Sequence, residues 1–189
     1  LKSNINIEEI KLFYSFIIFG ELEINNHYEI LNFDPRNNNI GKKLIQYDPL
    51  IKFNEKIIEI DEKKYHEILI KNKVPYSPFD LQENKSLLLE NNFDNINAIS
   101  WNKGCFVGQE ITARMKYRAL LKKQLYALEL ISGKINIGDK IIEKGVVLGE
   151  VISKANQYIF CILKIELVRE KSEKKALLDI DSSTTLKFL

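Results

Sequence analysis

The chain is poor in the residues that staple a protein together or give it a strong field. Its two cysteines, Cys105 and Cys161, stand far apart in unlike surroundings, which excludes a disulfide framework and makes a reducing compartment the default. There is no Cys-x-x-Cys pair, and His27 and His66 are the only histidines, so a structural zinc site lacks ligands and no metal site is expected. Lys and Arg number 28 against 26 Asp and Glu, a formal net charge of +2, so no field of one sign draws in a polyanion. The cluster Lys116, Arg118, Lys122 and Lys123 reads as a solvated face, because no stacking aromatic motif accompanies it; no direct nucleic-acid partner is expected. Long apolar runs are missing as well. The segment from Leu12 to Phe19 is well short of the ~20 residues that span a bilayer and lacks signal-peptide flanks, so no membrane partner is expected.

What the chain does have is 189 residues at 45% hydrophobic composition, enough to bury a core in one domain or two small ones. Residues 5–19 are apolar almost without interruption and fit either a strand or a helix, with Phe, Tyr and Ile favouring a strand. His27 to Phe33 alternates like a half-buried strand and stops at Asp34-Pro35-Arg36, where Pro35 imposes a turn or extended geometry. Asp61 suits the N-cap of a helix over Glu62 to Lys71, with Tyr65, Ile68 and Leu69 on one face and an end before Pro75. Leu87 to Glu90 reads as a short helix or turn. After Arg118 the texture changes. Short β-prone runs at 124–131, 140–142, 146–152 and 158–165 are separated by turn signals at Ser132-Gly133, Ile137-Gly138-Asp139, Lys144-Gly145 and Ala155-Asn156. That spacing belongs to a small barrel or sandwich, and 176–180 and 184–188 are candidates to close the sheet. The expected fold is therefore α+β, with an α+β part over 1–118, a C-terminal antiparallel β-barrel over 119–189, and the change of texture near 116–123.

Chemistry concentrates in Lys103-Gly104-Cys105-Phe106-Val107-Gly108-Gln109-Glu110 and continues to Arg114. Glycines on both sides of Cys105 allow a sharp turn and a close approach of backbone N–H groups to a ligand. A helix beginning at Gln109 or Glu110 places Cys105 just outside its positive end, with Lys103 as a nearby cation, and both favour thiolate. Cys105 then serves as a nucleophile or soft-metal ligand, or equally as a small core residue in a glycine-shaped turn. Glu110 and Arg114 are spaced to pair on the helix. Cys161, inside Tyr158 to Leu163, reads as core.

The run of Lys-Gly-Cys-Phe followed by Gly108-Gln109-Glu110, with Thr112-Ala113-Arg114, resembles the signature of the YgfZ-type folate-binding proteins. These are relatives of the glycine-cleavage aminomethyltransferase that act in iron–sulfur cluster assembly or repair. Weaker echoes lie at Asp34-Pro35-Arg36, Tyr65-His66, Val74-Pro75, Leu89-Glu90 with Asp94, and Gly149-Glu150-Val151. The resemblance implies a partial aminomethyltransferase-like folate-binding domain followed by the small barrel, and tetrahydrofolate as cofactor. The implied partners are iron–sulfur assembly proteins or 4Fe–4S client enzymes, some of which modify tRNA. It implies a cytoplasmic location in a bacterium or the mitochondrial matrix in a eukaryote. By the same resemblance Cys105 is the functional thiol, Lys103 and Gln109 line its pocket, and Gly104, Gly108 and Glu110 join them as cofactor-binding residues. Arg114 supports the loop or meets the anionic tail of folate, while Asp94 and Glu90 either hydrogen-bond the pterin edge or cap a turn.

Three departures stand out. Ala119 occupies a position where the family often has Gly; Phe106 replaces the commoner Tyr; and the chain opens at Leu1, so an N-terminal portion of the folate cavity is expected upstream. A folate-dependent aminomethyl or one-carbon transferase, and a remnant with an incomplete folate site, are the alternative readings.

Overall fold

The computed structural model describes residues 13–20, 30–46, 58–77, 79–104, 109–118, 121–180 and 183–189. The chain divides into two compact units, 1–59 and 60–189.

In the first unit, β1 (Tyr14–Ile18), β2 (Ile30–Phe33) and β3 (Lys42–Gln46) form an antiparallel sheet in the order β1-β3-β2. The ambiguous apolar run is thus a strand where it is described. Pro35 ends β2 as its fixed φ requires, and Asp34 holds the turn by accepting from the Arg36 backbone N–H at 3.0 Å and from its guanidinium at 2.7 and 2.9 Å. A short 3₁₀ turn over Asn38–Ile40 follows, capped by the Asn37 side chain. Gly41 then enters β3 with φ 95°, where a Cβ would stand 2.8 Å from Ile17 and 2.9 Å from the Ile18 carbonyl oxygen, so only glycine fits.

The second unit is built around a six-stranded antiparallel sheet. Its strands are β4 (Lys123–Ser132), β5 (Lys140–Glu143), β6 (Val146–Ala155), β7 (Tyr158–Lys164), β8 (Leu177–Asp179) and β9 (Thr185–Phe188), in the order β5-β6-β7-β4-β9-β8. Ile141 from one edge strand and Leu178 from the other lie in the same buried cluster with Leu128, Val151, Leu163 and Phe188. The sheet therefore curls into a nearly closed barrel, with breaks of register at Leu130/Ser132, Ile141/Ile142 and Val151/Ser153 that sharpen its curvature. Lys144 and Gly145 take φ 49° and 79°, the two left-handed positions of the tight hairpin joining β5 to β6.

Helix α1 (Glu62–Lys71) starts at Asp61, whose carboxylate accepts from the Lys64 N–H at 2.7 Å. It packs Ile70 on the outer face of the sheet against Leu125, Ala127, Ala155, Tyr158 and Phe160. Its buried side is His66, Glu67, Leu69 and Ile70, a face rotated from the Tyr65, Ile68, Leu69 stripe that apolar periodicity gives. Helix α2 (Glu110–Tyr117) precedes β4. Helix α3 (Ile165–Glu173) follows β7 directly and sends Val168 into the barrel core; it begins at Ile165, the last residue of the β-prone run 158–165. Among the described residues, no helix is long and apolar enough to cross a membrane.

Candidate functional site

Helix α2 begins at Glu110, with Gln109 at its N-cap position and the Gln109 carbonyl accepting from Ala113 N–H at 3.1 Å. The expected helix after the glycine-framed thiol is therefore present. Cys105 and Gly108 fall outside the described residues, as do Phe106 and Ala119. Lys103 and Gly104 lie exposed in the irregular segment that leads to the helix. At Gly104 a Cβ would meet nothing within 4 Å, so its local surroundings are open.

Glu110 and Arg114 pair as their spacing requires, with Nη2 of Arg114 donating to Oε2 of Glu110 at 3.2 Å. Both side chains are well exposed, 79% and 60%, so the pair is worth at most about 0.5 kcal/mol and serves to shape the first turn. The last turn of α2 is tied down differently. Lys116 Nζ lies 4.3 Å from the centre of the Trp101 ring and 3.7 Å from the Asp94 carboxylate. Tyr117 meets the edge of Trp101 with ring centres 6.0 Å apart. Asp94 is thereby joined to α2 through Lys116, and Trp101 supplies an aromatic partner to both Lys116 and Tyr117. Glu90 contributes through its backbone, its carbonyl accepting from Leu125 N–H at 2.7 Å. Asn92 donates its side-chain amide to the Leu125 carbonyl at 2.7 Å and accepts from Gln124 at 2.7 Å. The 87–97 turns are in this way fastened to the start of β4.

A buried polar interlock with no local signature in the sequence joins Asp80, His66 and Ser153. Asp80, 1% exposed, accepts from Tyr76 N–H at 2.7 Å, pairs with Nε2 of His66 at 2.8 Å and accepts from the Ser153 hydroxyl. The His66 ring stacks on Phe79 with centres 5.0 Å apart. The carboxylate sits between the two other side chains and satisfies both, an arrangement suited to fastening α1 to β6, since neither His66 nor Ser153 is left to activate the other. Beside it, burial would raise the Glu67 pKa, but hydrogen bonds from Asn156, Lys64 and Lys71 overcome this and hold it at about 2. His66 and Glu67 are polar, so a search for apolar periodicity passes over them. Cys161 is fully buried and burial pushes its thiol far above the usual range, which leaves it inert, as its sequence context indicates. Among the described residues no cluster of His, Cys, Asp and Glu is arranged to hold a metal ion.

No known protein-family profile matches the chain. Among curated proteins, the mitochondrial iron–sulfur cluster assembly factor IBA57 of Mus musculus is 30% identical over 99 residues, covering 51% of this chain and 27% of that protein. The Mycosarcoma maydis homologue of IBA57 is 32% identical over 101 residues, 53% of this chain and 25% of its own length. The tRNA-modifying protein YgfZ of Aliivibrio fischeri is 47% identical over 51 residues, 26% of this chain and 16% of that protein. Over part of its length the chain is thus homologous to IBA57 and YgfZ proteins. It spans about a quarter of the length of the IBA57 proteins it matches.

Proposed function

We propose that the chain belongs to a folate-binding accessory protein that serves iron–sulfur cluster assembly or repair, acting on 4Fe–4S client enzymes that include tRNA-modifying ones. The observation that carries this reading is the unbroken Lys103-Gly104-Cys105 to Glu110 signature, entering a helix with Arg114 paired to Glu110. Similarity to an iron–sulfur cluster assembly factor and to a tRNA-modifying protein supports it.

In this reading residues 1–118 belong to the folate-binding part and 119–189 to the barrel. Cys105 is the functional thiol. The donor set suits tetrahydrofolate, a carrier of one-carbon units: Asp94 offers a carboxylate for pterin N–H groups, and Arg114 and Lys103 offer cations for the glutamate tail. Gly104, Gly108, Gln109 and Glu110 shape the loop at the head of α2. The protein works where clusters are built, in the bacterial cytoplasm or the mitochondrial matrix.

The deciding experiment replaces the gene in a strain lacking the cognate protein with Cys105→Ala and measures the activity of dependent 4Fe–4S enzymes. The expected result is loss of that activity at unchanged protein abundance. Full activity with Cys105→Ala would remove the thiol from the function. Calorimetric titration of tetrahydrofolate into the chain, beside Asp94→Asn, tests the ligand separately.

A further inference from the structure

A cleft of about 550 Å³ lies between helices α2 and α3 and the start of β4, in the size range of small-molecule sites. Its apolar lining includes Leu89, Met115, Leu121 and Ile165. Helix α3 contributes Ile165, Arg169, Ser172 and Glu173 to the lining, positions that fall on one face of a helix. Arg169 and Glu173 are spaced to pair with each other, yet among the described residues neither forms an ion pair, whereas the neighbouring Glu170 pairs with Lys174 at 2.6 Å and Lys171 with Glu143. Across the cleft Lys116 is matched by Asp94 at 3.7 Å. The lining thus carries two cations and two anions, which disfavours phosphates and other multiply charged anions and leaves one guanidinium and one carboxylate available. Tyr126 also lines the cleft; burial raises its pKa, and the charges of Arg169 and Glu173 both reach its phenol.

We propose that this cleft binds a zwitterion with an apolar body, in the class of the apolar α-amino acids. The ligand carboxylate is received by Arg169, its ammonium by Glu173, and its side chain by the apolar lining of Leu89, Met115, Leu121 and Ile165. The site stands apart from the folate reading, with Asp94 as the one residue common to both.

The test is calorimetric titration of the full 189-residue chain with L-phenylalanine, 3-phenylpropionate and 2-phenylethylamine, which present both charges, the carboxylate alone and the ammonium alone. Emission from Trp101, the only tryptophan and the partner of Lys116 at the cleft, provides a second readout. L-phenylalanine is expected to bind with one-to-one stoichiometry and to lose about tenfold or more in affinity in Arg169→Ala and in Glu173→Gln. Each singly charged analogue is expected to bind about tenfold more weakly than the zwitterion. Arg169→Lys, which keeps the charge but loses the fork, should fall between, and it replaces Arg169→Ala if that variant melts early. Equal binding of all three probes, unchanged affinity in both variants, or no binding up to about 10 mM would overturn the proposal. Displacement of L-phenylalanine by tetrahydrofolate would assign the cleft to the folate site and overturn it as a separate one, while leaving the Cys105 complementation result untouched.

Discussion

Helices α1 and α2 lie in the same compact unit and are of similar length, 10 and 8 residues, yet different physics holds them. α1 buries four residues, two of them polar, and ties each polar one into a satisfied network with the barrel strand β6 or the turn after it. α2 buries none and rests on surface pairs: Arg114 with Glu110, and Lys116 with Asp94 and Trp101. The first helix stabilises the barrel; the second presents the signature. Substitutions on the buried face of α1 should therefore lower stability, while substitutions on α2 should leave it nearly unchanged and alter what the protein does.

The sharpest way to break this contrast is Asp80→Ala. It strips partners from His66, Ser153 and the Tyr76 N–H at once, and orphaning buried polar groups on this scale costs about 3–5 kcal/mol. Urea unfolding should show a loss of that order with an unchanged slope. A loss below about 1 kcal/mol would mean that the interlock does not fasten α1. Gly149→Ala comes next. A Cβ there would stand 1.9 Å from the Ile162 carbonyl oxygen in the paired strand, so β6 and β7 must separate locally, at about 2–3 kcal/mol. A melting temperature equal to that of the wild type would show that the strands accommodate the methyl.

Glu67 gives a smaller effect with a definite pH signature. Its folded pKa lies below the ordinary carboxylate value, at about 2, so its contribution to stability is fully present above about pH 4.5 and disappears as pH falls toward 2. Lys64 and Lys71 keep about half of their side chains in water, which limits the effect to about 2 kcal/mol. Glu67→Gln should remove this dependence: wild type and variant differ at pH 6 and converge near pH 2. Parallel stability curves across that window would remove the ion pairs from the account of α1.

Much of this arrangement is legible in sequence, and the limits have physical reasons. The Asp61 cap, the Pro35 stop, the Lys144-Gly145 hairpin and the β-prone runs of β4, β6 and β7 are local, and local patterns announce themselves within a few residues. Helix α3 is hidden because Ile162, Leu163 and Ile165 continue the β-prone run, so the change of period after Lys164 has no turn residue to mark it. The change of texture near 116–123 is visible, whereas the compaction of 60–118 with the barrel depends on Ile70 meeting Leu125 and Phe160, contacts between distant segments. The zwitterion cleft collects residues from Leu89 to Glu173 and has no linear signature at all. The Cys105 loop is the opposite case: its motif can be read at once in the sequence, and the chain has partial similarity to IBA57 and YgfZ proteins.

The smallest expected effect on stability is the one that separates the two helices most cleanly. Arg114→Ala removes a single exposed ion pair from α2, and pairs of this kind contribute about 0.3–0.5 kcal/mol, so the midpoint of thermal unfolding should barely move. In the proposed function the same guanidinium shapes the loop exit or meets the anionic tail of folate, so complementation of 4Fe–4S enzyme activity should drop well beyond any change in protein level. Glu110→Gln, which keeps the shape and loses the charge, should weaken the pair without removing the cation and fall between the two. If Arg114→Ala instead lowers stability as much as Glu67→Gln does, α2 is a structural element like α1, and the division of labour between the helices does not hold.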